Sequence, residues 1–306
     1  MSSSAQAPQV WTIEAVLRWA TDDFRARGIE NPRLDAEILL AKALGATRIS
    51  LIVDAKRPLD PAELSRLREL VTRRRSREPI AYIVGEREFY GRTFRVDRRT
   101  LVPRPDTETL VDVALERTRA VSMSMRALDL CTGSGCVAVT LARERPTAFV
   151  MATDASDDAL AVARSNALRL GAYPVAFRKG DLFAALDPNA GKATPRRFDV
   201  VTANPPYIPT ADIPSLMVDV RDFEPRLALD GGGDGLALVR RIVTGAPSHL
   251  ARGGILAVEV GAGEAPDVAS LFEAAGFTAV EVRRDYARIE RVVSGMLERS
   301  ATQAGR

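Results

Sequence analysis

The chain has 306 residues, of which 46% are hydrophobic and 27% charged, with 43 Lys and Arg against 40 Asp and Glu for a formal net charge of +3. That composition is ordinary for a globular protein, and the length calls for a large domain beside a smaller one. Cys131 and Cys136 have no histidine companions and the single histidine is His249, so a zinc site, a disulfide framework and a His-centred catalytic triad are excluded, and no metal is expected.

The chain opens without the basic and apolar regions of a leader, and no apolar run reaches the roughly 18 residues that span a bilayer. A cytoplasmic protein with no membrane partner is therefore expected. Thr12 caps a helix whose apolar residues Ile13, Val16, Leu17, Ala20 and Phe24 recur at helical spacing. Asn31-Pro32 reads as a cap and first-turn proline, opening a second helix with the stripe Leu34, Ile38, Ala41 and Leu44. A third starts at Asp60-Pro61, with Glu63 placed for a capping box, and continues through Leu64, Leu67 and Val71. It ends in Arg73-Arg74-Arg75-Ser76-Arg77, which reads as a solvated basic helix end complementing the macrodipole rather than as a nucleic-acid patch. Residues 1–84 thus form a small helical bundle.

From Glu88 to Val102 aromatic and β-branched residues, Phe89, Phe94 and Val96 among them, flank Gly91. This predicts a β-hairpin linker within 85–104. In 105–299 short apolar strands alternate with helices: Arg126 to Leu130, Phe149 to Asp154, Val175 to Arg178, Phe198 to Ala203 and Ile255 to Val260. Such alternation predicts an α/β domain of parallel βαβ units with helices on both sheet faces. His249 reads as a surface or boundary residue, and residues 300–306 as a disordered tail.

The chemistry concentrates at strand ends. Asp129-Leu130-Cys131-Thr132-Gly133-Ser134-Gly135 closes one strand and opens a helix, where glycines let the backbone approach a ligand and free N–H groups face it. The same loop also fits the relaxed dinucleotide pattern with Ala138, or a purely structural turn. Asp154 ends the next strand and can accept from both hydroxyls of a ribose; capping the following helix is the alternative, and Ser156 can take that role instead. In Gly180-Asp181-Leu182-Phe183, Asp181 can accept from an adenine amine and Leu182 can pack on its ring, although a glycine-aspartate pair is also a common turn. Asn204-Pro205-Pro206-Tyr207 follows an apolar strand. Its prolines remove two backbone donors, and its asparagine oxygen adds an acceptor, which together suit a planar NH₂ group beside the tyrosine ring.

Further segments carry a resemblance: Arg33-Leu34-Asp35-Ala36-Glu37, Arg77-Glu78-Pro79-Ile80-Ala81-Tyr82-Ile83, Phe89-Tyr90-Gly91 and Val102-Pro103-Arg104-Pro105-Asp106-Thr107-Glu108. With the glycine loop and Asn-Pro-Pro-Tyr, they make the chain resemble the HemK-type protein N5-glutamine methyltransferases over nearly its whole length. Within that family it is most similar to the branch that modifies class 1 peptide chain release factors. DNA adenine and RNA guanine methyltransferases share Asn-Pro-Pro-Tyr but not these segments. The resemblance implies a class I (Rossmann-like) seven-stranded methyltransferase domain behind a helical substrate-recognition domain. It implies S-adenosyl-L-methionine as cofactor, with its methionine part along Cys131, Thr132, Gly133, Ser134 and Gly135. It implies ribose at Asp154, adenine near Asp181 and Leu182, and the acceptor amide at Asn204, Pro205, Pro206 and Tyr207, with Asn204 next to the cofactor as well. Cys131 departs from the glycine common in the release-factor branch, and Cys-Thr-Gly-Ser-Gly-Cys is similar to the branch acting on ribosomal protein uL3, the alternative substrate. A nucleic-acid amino-group methyltransferase is the other alternative. With 6% aromatic residues and mixed charges, no stable nucleic-acid complex is expected.

Overall fold

The computed structural model describes residues 10–121, 124–186 and 197–298, so the expected tail at 300–306 lies outside the described residues. Backbone contacts divide the chain between Gly85 and Glu86. The hairpin expected as a linker therefore belongs to the second unit.

The first unit holds α1 (Ile13–Ala26), α2 (Pro32–Leu44), α3 (Arg48–Val53), α4 (Pro61–Arg75) and α5 (Ile80–Val84). Thr12 caps α1 by accepting from Ala15 N at 3.2 Å. Asp60 and Glu63 cap α4 reciprocally, at 2.8 and 3.0 Å. Asn31 makes no side-chain cap, and α2 starts on the fixed φ of Pro32. The core gathers Phe24, Leu39, Leu40, Leu51, Leu67 and Val71, each fully buried side chain contributing about 1.5–3 kcal/mol. The buried face of α2 is Asp35, Ala36, Leu39, Leu40 and Ala43 rather than the expected stripe, and Leu34 is 39% exposed. On that face Arg74 Nε donates to Asp35 at 2.7 Å in a buried ion pair, beside the apolar Ala36, Leu39, Leu40 and Ala43. The arginine run is accordingly not a solvated end. Arg73 binds Glu78 through two bonds of 2.8 Å, and Arg75 binds Asp23 at 2.7 and 2.8 Å while lying over the Trp19 ring.

The second unit begins with the antiparallel pair β1 (Glu86–Phe89) and β2 (Arg92–Arg95). Tyr90 and Gly91 between them both have positive φ, 50° and 66°, as a two-residue type I′ hairpin turn requires. A single-turn 3-10 helix at Pro105–Thr107 leads into α6 (Glu108–Arg117). Glu108 accepts from Tyr90 N at 2.7 Å and Asp112 from Tyr90 Oη at 2.8 Å, so two acids of α6 hold the hairpin turn.

The remaining elements are β3 (Arg126–Leu130), α7 (Cys136–Glu144), β4 (Phe149–Asp154), α8 (Asp157–Arg169), β5 (Val175–Lys179), β6 (Phe198–Ala203), α9 (Val218–Arg221), α10 (Ala237–Gly245), β7 (Leu250–Glu259), α11 (Ala265–Ala274), β8 (Phe277–Arg284) and β9 (Glu290–Leu297). They build a seven-stranded sheet in the order β5-β4-β3-β6-β7-β9-β8. The first five strands of that order are parallel, and β9 runs antiparallel to both β7 and β8. One apolar cluster includes Leu110, Val111 and Val139 from α6 and α7, and another Val239, Ile242 and Phe272 from α10 and α11. The order reverses between β3 and β6, and such switch points are where open α/β sheets bind ligands, at the carboxyl ends of the strands.

Candidate active site

The loop leaving β3 is unusual in its backbone: Cys131, Gly133 and Gly135 all have positive φ, at 55°, 55° and 81°. Gly135 precedes α7 where a Cβ would come within 3.0 Å of the Ala163 Cβ, so glycine there permits both the turn and the close approach of α8. Beneath the loop Asp129 is buried, accepting from Thr132 Oγ1 at 2.6 Å and from Thr202 Oγ1 of β6 at 2.8 Å. Burial pushes its carboxyl up to about 7, against the hydrogen bonds of the two threonines. Burial likewise raises both thiols, Cys136 to about 12, so neither cysteine is a nucleophilic thiolate.

Asp154, at the end of β4, accepts from Gly133 N and Ser156 N, each at 2.9 Å, one on each carboxylate oxygen. The carboxylate lines the cleft, where it is placed to meet a diol. The helix cap falls to Ser156, whose Oγ accepts from Ala159 N at 3.1 Å. Asp181 is exposed and paired with Arg241 at 2.7 Å, so an incoming adenine amine would meet a carboxylate that already has a partner. Leu182, at φ 51°, is buried against the same cleft, and the adjacent Phe183 stacks on His249 with centroids 4.6 Å apart.

A single cleft is lined by Cys131, Thr132, Gly133, Ser134, Asp154, Asp181, Leu182, Asn204 and Pro206. Gly135, Pro205 and Tyr207 are not in its wall. The backbone of Tyr207 packs instead against Gly231 and Gly235, where a Cβ would clash with it. Backbone bonds add to this contact: Ile208 N to Leu229 O at 3.0 Å, Gly231 N to Ile208 O at 2.8 Å and Thr210 N to Gly232 O at 2.9 Å.

Two residues that sequence reasoning did not single out stand behind Asn204. Thr107 Oγ1 accepts from Asn204 Nδ2 at 3.2 Å. Glu259, at the end of β7, is 1% exposed and lies beside Thr107 and Asn204, and its Oε2 has no hydrogen-bond partner. Burial pushes this carboxyl up to about 7, opposed by Thr107, Arg291 and Asn204. Arg104 also reaches the cleft and holds the buried Glu224 at 2.7 Å. Arg104 and Glu108, adjacent in one sequence motif, thus bind different partners. Signals for Thr107 and Arg104 existed in the Pro-Arg-Pro-Asp-Thr-Glu stretch; Glu259 had none beyond its place at a strand end.

Among the described residues no group of His, Cys, Asp and Glu is placed to hold a metal, and no helix is long and apolar enough to cross a membrane. A carboxylate with spare acceptor sites, a glycine loop at a helix start and apolar Leu182 and Leu238 in one wall fit a nucleoside carrying an amino-acid tail. The seven-stranded order with its antiparallel β9 and this cleft define a class I S-adenosylmethionine-dependent methyltransferase. Residues 122–277 match the methyltransferase domain, and residues 15–85 the PrmC N-terminal domain. A solved methyltransferase from Pyrococcus furiosus shares the fold, with a TM-score of 0.50 and 18% identity over 69% of this chain and 91% of that one. The chain is 44% identical over 292 residues to the release factor glutamine methyltransferase of Geobacter sulfurreducens, covering 95% of this chain and 99% of the relative. It is 47% identical over 269 residues to that of Burkholderia pseudomallei, covering 86% and 92%. The chain belongs to the release factor glutamine methyltransferase family.

Proposed function

We propose that this enzyme methylates the side-chain amide nitrogen (N5) of the glutamine in the Gly-Gly-Gln loop of class 1 peptide chain release factors, with Asn204 to Tyr207 as the acceptor site. When bound, S-adenosyl-L-methionine supplies an electrophilic methyl on a sulfonium, with Cys131 to Gly135 at its methionine part, Asp154 at its ribose and Asp181 and Leu182 near its adenine. The observation that carries the reading is that Asn204 stands in the same cleft wall as that glycine loop and Asp154.

An amide nitrogen is a poor nucleophile because its lone pair is delocalised, so the protein must align it rather than merely bind it. Asn204 Oδ1 and the Pro205 carbonyl accept from the NH₂ and concentrate electron density on nitrogen as the new bond forms, a gain specific to the transition state. The methylated amide is strongly acidic and loses its proton to water. Two glycines and one glutamine offer little surface to recognise, so the helical unit supplies the remaining binding energy for the release factor.

Mass spectrometry tests the acceptor after incubation of enzyme and methyl-labelled cofactor with intact release factor, with a variant carrying glutamate at that glutamine, and with uL3. Label is expected on the glutamine alone. Label persisting in the glutamate variant, or preferred labelling of uL3, overturns the substrate assignment. Asn204→Ala should lower turnover at least about a hundredfold while S-adenosylhomocysteine binding stays within a few fold.

A further inference from the structure

We propose that Glu259, acting with Thr107, is a positioning residue that fixes the Asn204 carboxamide with its NH₂ toward β7 and its oxygen toward the acceptor. The inference rests on the reading of Asn204 as the acceptor of the substrate amide. A carboxamide is nearly symmetric in shape, and its two orientations differ only in which end donates. If NH₂ rather than oxygen faced the glutamine, two donors would meet and the acceptor site would be lost.

The local partners decide the orientation. An ionised carboxylate only accepts, so Glu259 demands a donor from each neighbour. Thr107 has one hydroxyl proton; given to Glu259, it leaves Thr107 Oγ1 to accept, and Asn204 Nδ2 lies 3.2 Å from that oxygen. Both neighbours therefore require the NH₂ end of Asn204, and its oxygen faces the other way. A glutamine or an alcohol in place of Glu259 could itself donate and would permit the reversed amide.

A purely structural role accounts poorly for this carboxyl. It is 1% exposed and its Oε2 has no hydrogen-bond partner, an arrangement that costs stability. The charged and titratable groups around it are Arg291 of β9, Asp106 of the 3-10 turn, Tyr207 and Cys136. Arg291 is shared with Asp285 at 3.0 Å and Asp106 at 3.3 Å, so it does not serve Glu259 alone. Protonation of Glu259 turns an acceptor into a donor and releases the lock. Turnover should thus rise with pH through the range in which Glu259 ionises, about 7. Asp129 ionises in the same range, so the informative quantity is the difference between the profiles of parent and Glu259→Gln.

The experiment measures kcat and KM for release factor, S-adenosylhomocysteine affinity by calorimetry, and melting temperature against pH, for Glu259→Gln, Thr107→Val, Thr107→Ser and Asn204→Ala. Glu259→Gln and Thr107→Val should each lower kcat at least about tenfold, with KM and cofactor-product affinity within about twofold. Thr107→Ser should recover most of the activity, and the Glu259→Gln/Thr107→Val double variant should fall little below the worse single one, because both act through one amide. The low-pH limb of kcat should flatten in Glu259→Gln. Melting temperature shows whether each variant is folded, and Glu259→Gln should melt higher than the parent above neutral pH. Activity kept in Asn204→Ala overturns the acceptor reading and this inference with it. Activity lost in Asn204→Ala but kept in both Glu259→Gln and Thr107→Val overturns this inference alone. So does a loss of kcat matched by an equal loss of cofactor-product affinity.

Discussion

Asp35 in the helical unit and Glu259 in the methyltransferase unit are both buried carboxyls, 5% and 1% exposed, and they are partnered differently. Asp35 receives the guanidinium of Arg74 at 2.7 Å, a full opposite charge. Glu259 lies beside the hydroxyl of Thr107 and the amide of Asn204, and Asp129 receives two hydroxyls. A charged partner offsets the cost of burying a carboxylate, and breaking such a pair leaves a buried charge. Neutral partners leave the group titrating near neutrality, at some loss of stability, and let its protonation state govern which way its neighbours point. Burial of a carboxyl is tied to an ion pair within the core of one unit and, as proposed for Glu259, to the orientation of the Asn204 amide in the other.

The comparison breaks most visibly at Asp35. Asp35→Ala removes the carboxylate opposite Arg74 and leaves that guanidinium the Glu78 carbonyl, which should cost about 3–5 kcal/mol, read as a lower urea midpoint for the helical unit. Replacing both partners, Asp35→Leu with Arg74→Met, should recover most of that loss; no recovery would mean that the pair is not the cause. The neutral-partner side predicts the opposite sign. Asp129 and Glu259 titrate near 7 in the folded protein, above their ordinary values of 3.8 and 4.5, so the folded state binds more protons in between. Stability contributed by these groups is present at low pH and declines as pH rises toward about 7. Asp129→Asn should gain up to about 4 kcal/mol and Glu259→Gln up to about 3 kcal/mol over the parent at pH 8, and both almost nothing at pH 4, by denaturant unfolding. An equal gain at both pH values would place the effect in packing.

Asp154 and Ser156 sharpen the contrast on a smaller scale, because the proposed ligand role falls to one residue and the cap to the other. Asp154→Ala should weaken S-adenosylhomocysteine binding by about 1.5–3 kcal/mol in a calorimetric titration. Ser156→Ala should cost about 1 kcal/mol of stability and leave that affinity within a few fold. If the two variants exchange these effects, the ribose assignment fails.

The parallel strands and the residues at their ends are legible in the sequence because strand, turn and helix each leave a local pattern: an apolar run, a glycine or proline, a cap. Cys131 to Gly135, Asp154 and Asn204 all stand at such punctuation. The buried face of α2 was not legible, since apolar residues lie on more than one side of that helix and the charged residue on its buried face, Asp35, has its partner Arg74 39 positions away. The solvated reading of the arginine run fails for the same reason, its partners Asp23 and Asp35 being distant in sequence. Strands β8 and β9 do not stand out in the sequence: β8 is an edge strand, half open to solvent, whereas β9 lies between β7 and β8 and is buried at its centre, without the alternation of a one-faced strand. The roles of Thr107 and Glu259 are hidden from local pattern for a further reason, although Thr107 lies in the Pro-Arg-Pro-Asp-Thr-Glu stretch that carries the resemblance. Their significance is relational, and Thr107 meets Asn204 across 97 positions of chain.

The segment from Leu229 to Gly235 has a consequence for how such an enzyme diversifies. It holds the backbone of Tyr207 to Thr210 through main-chain hydrogen bonds and through two glycines that admit no side chain. The shape of the loop that follows Asn204 is therefore encoded by a mould as well as by its own prolines, and Thr210 Oγ1 adds a bond to Asp230 at 2.6 Å. The side chain at Ile208 is expected to be exchangeable without moving Asn204, whereas a Cβ at Gly231 or Gly235 meets backbone atoms. A lineage with this architecture can drift toward new partner proteins at the rim while its chemistry stays in place, and a mutational scan should find intolerance concentrated at two glycines removed from the cleft wall.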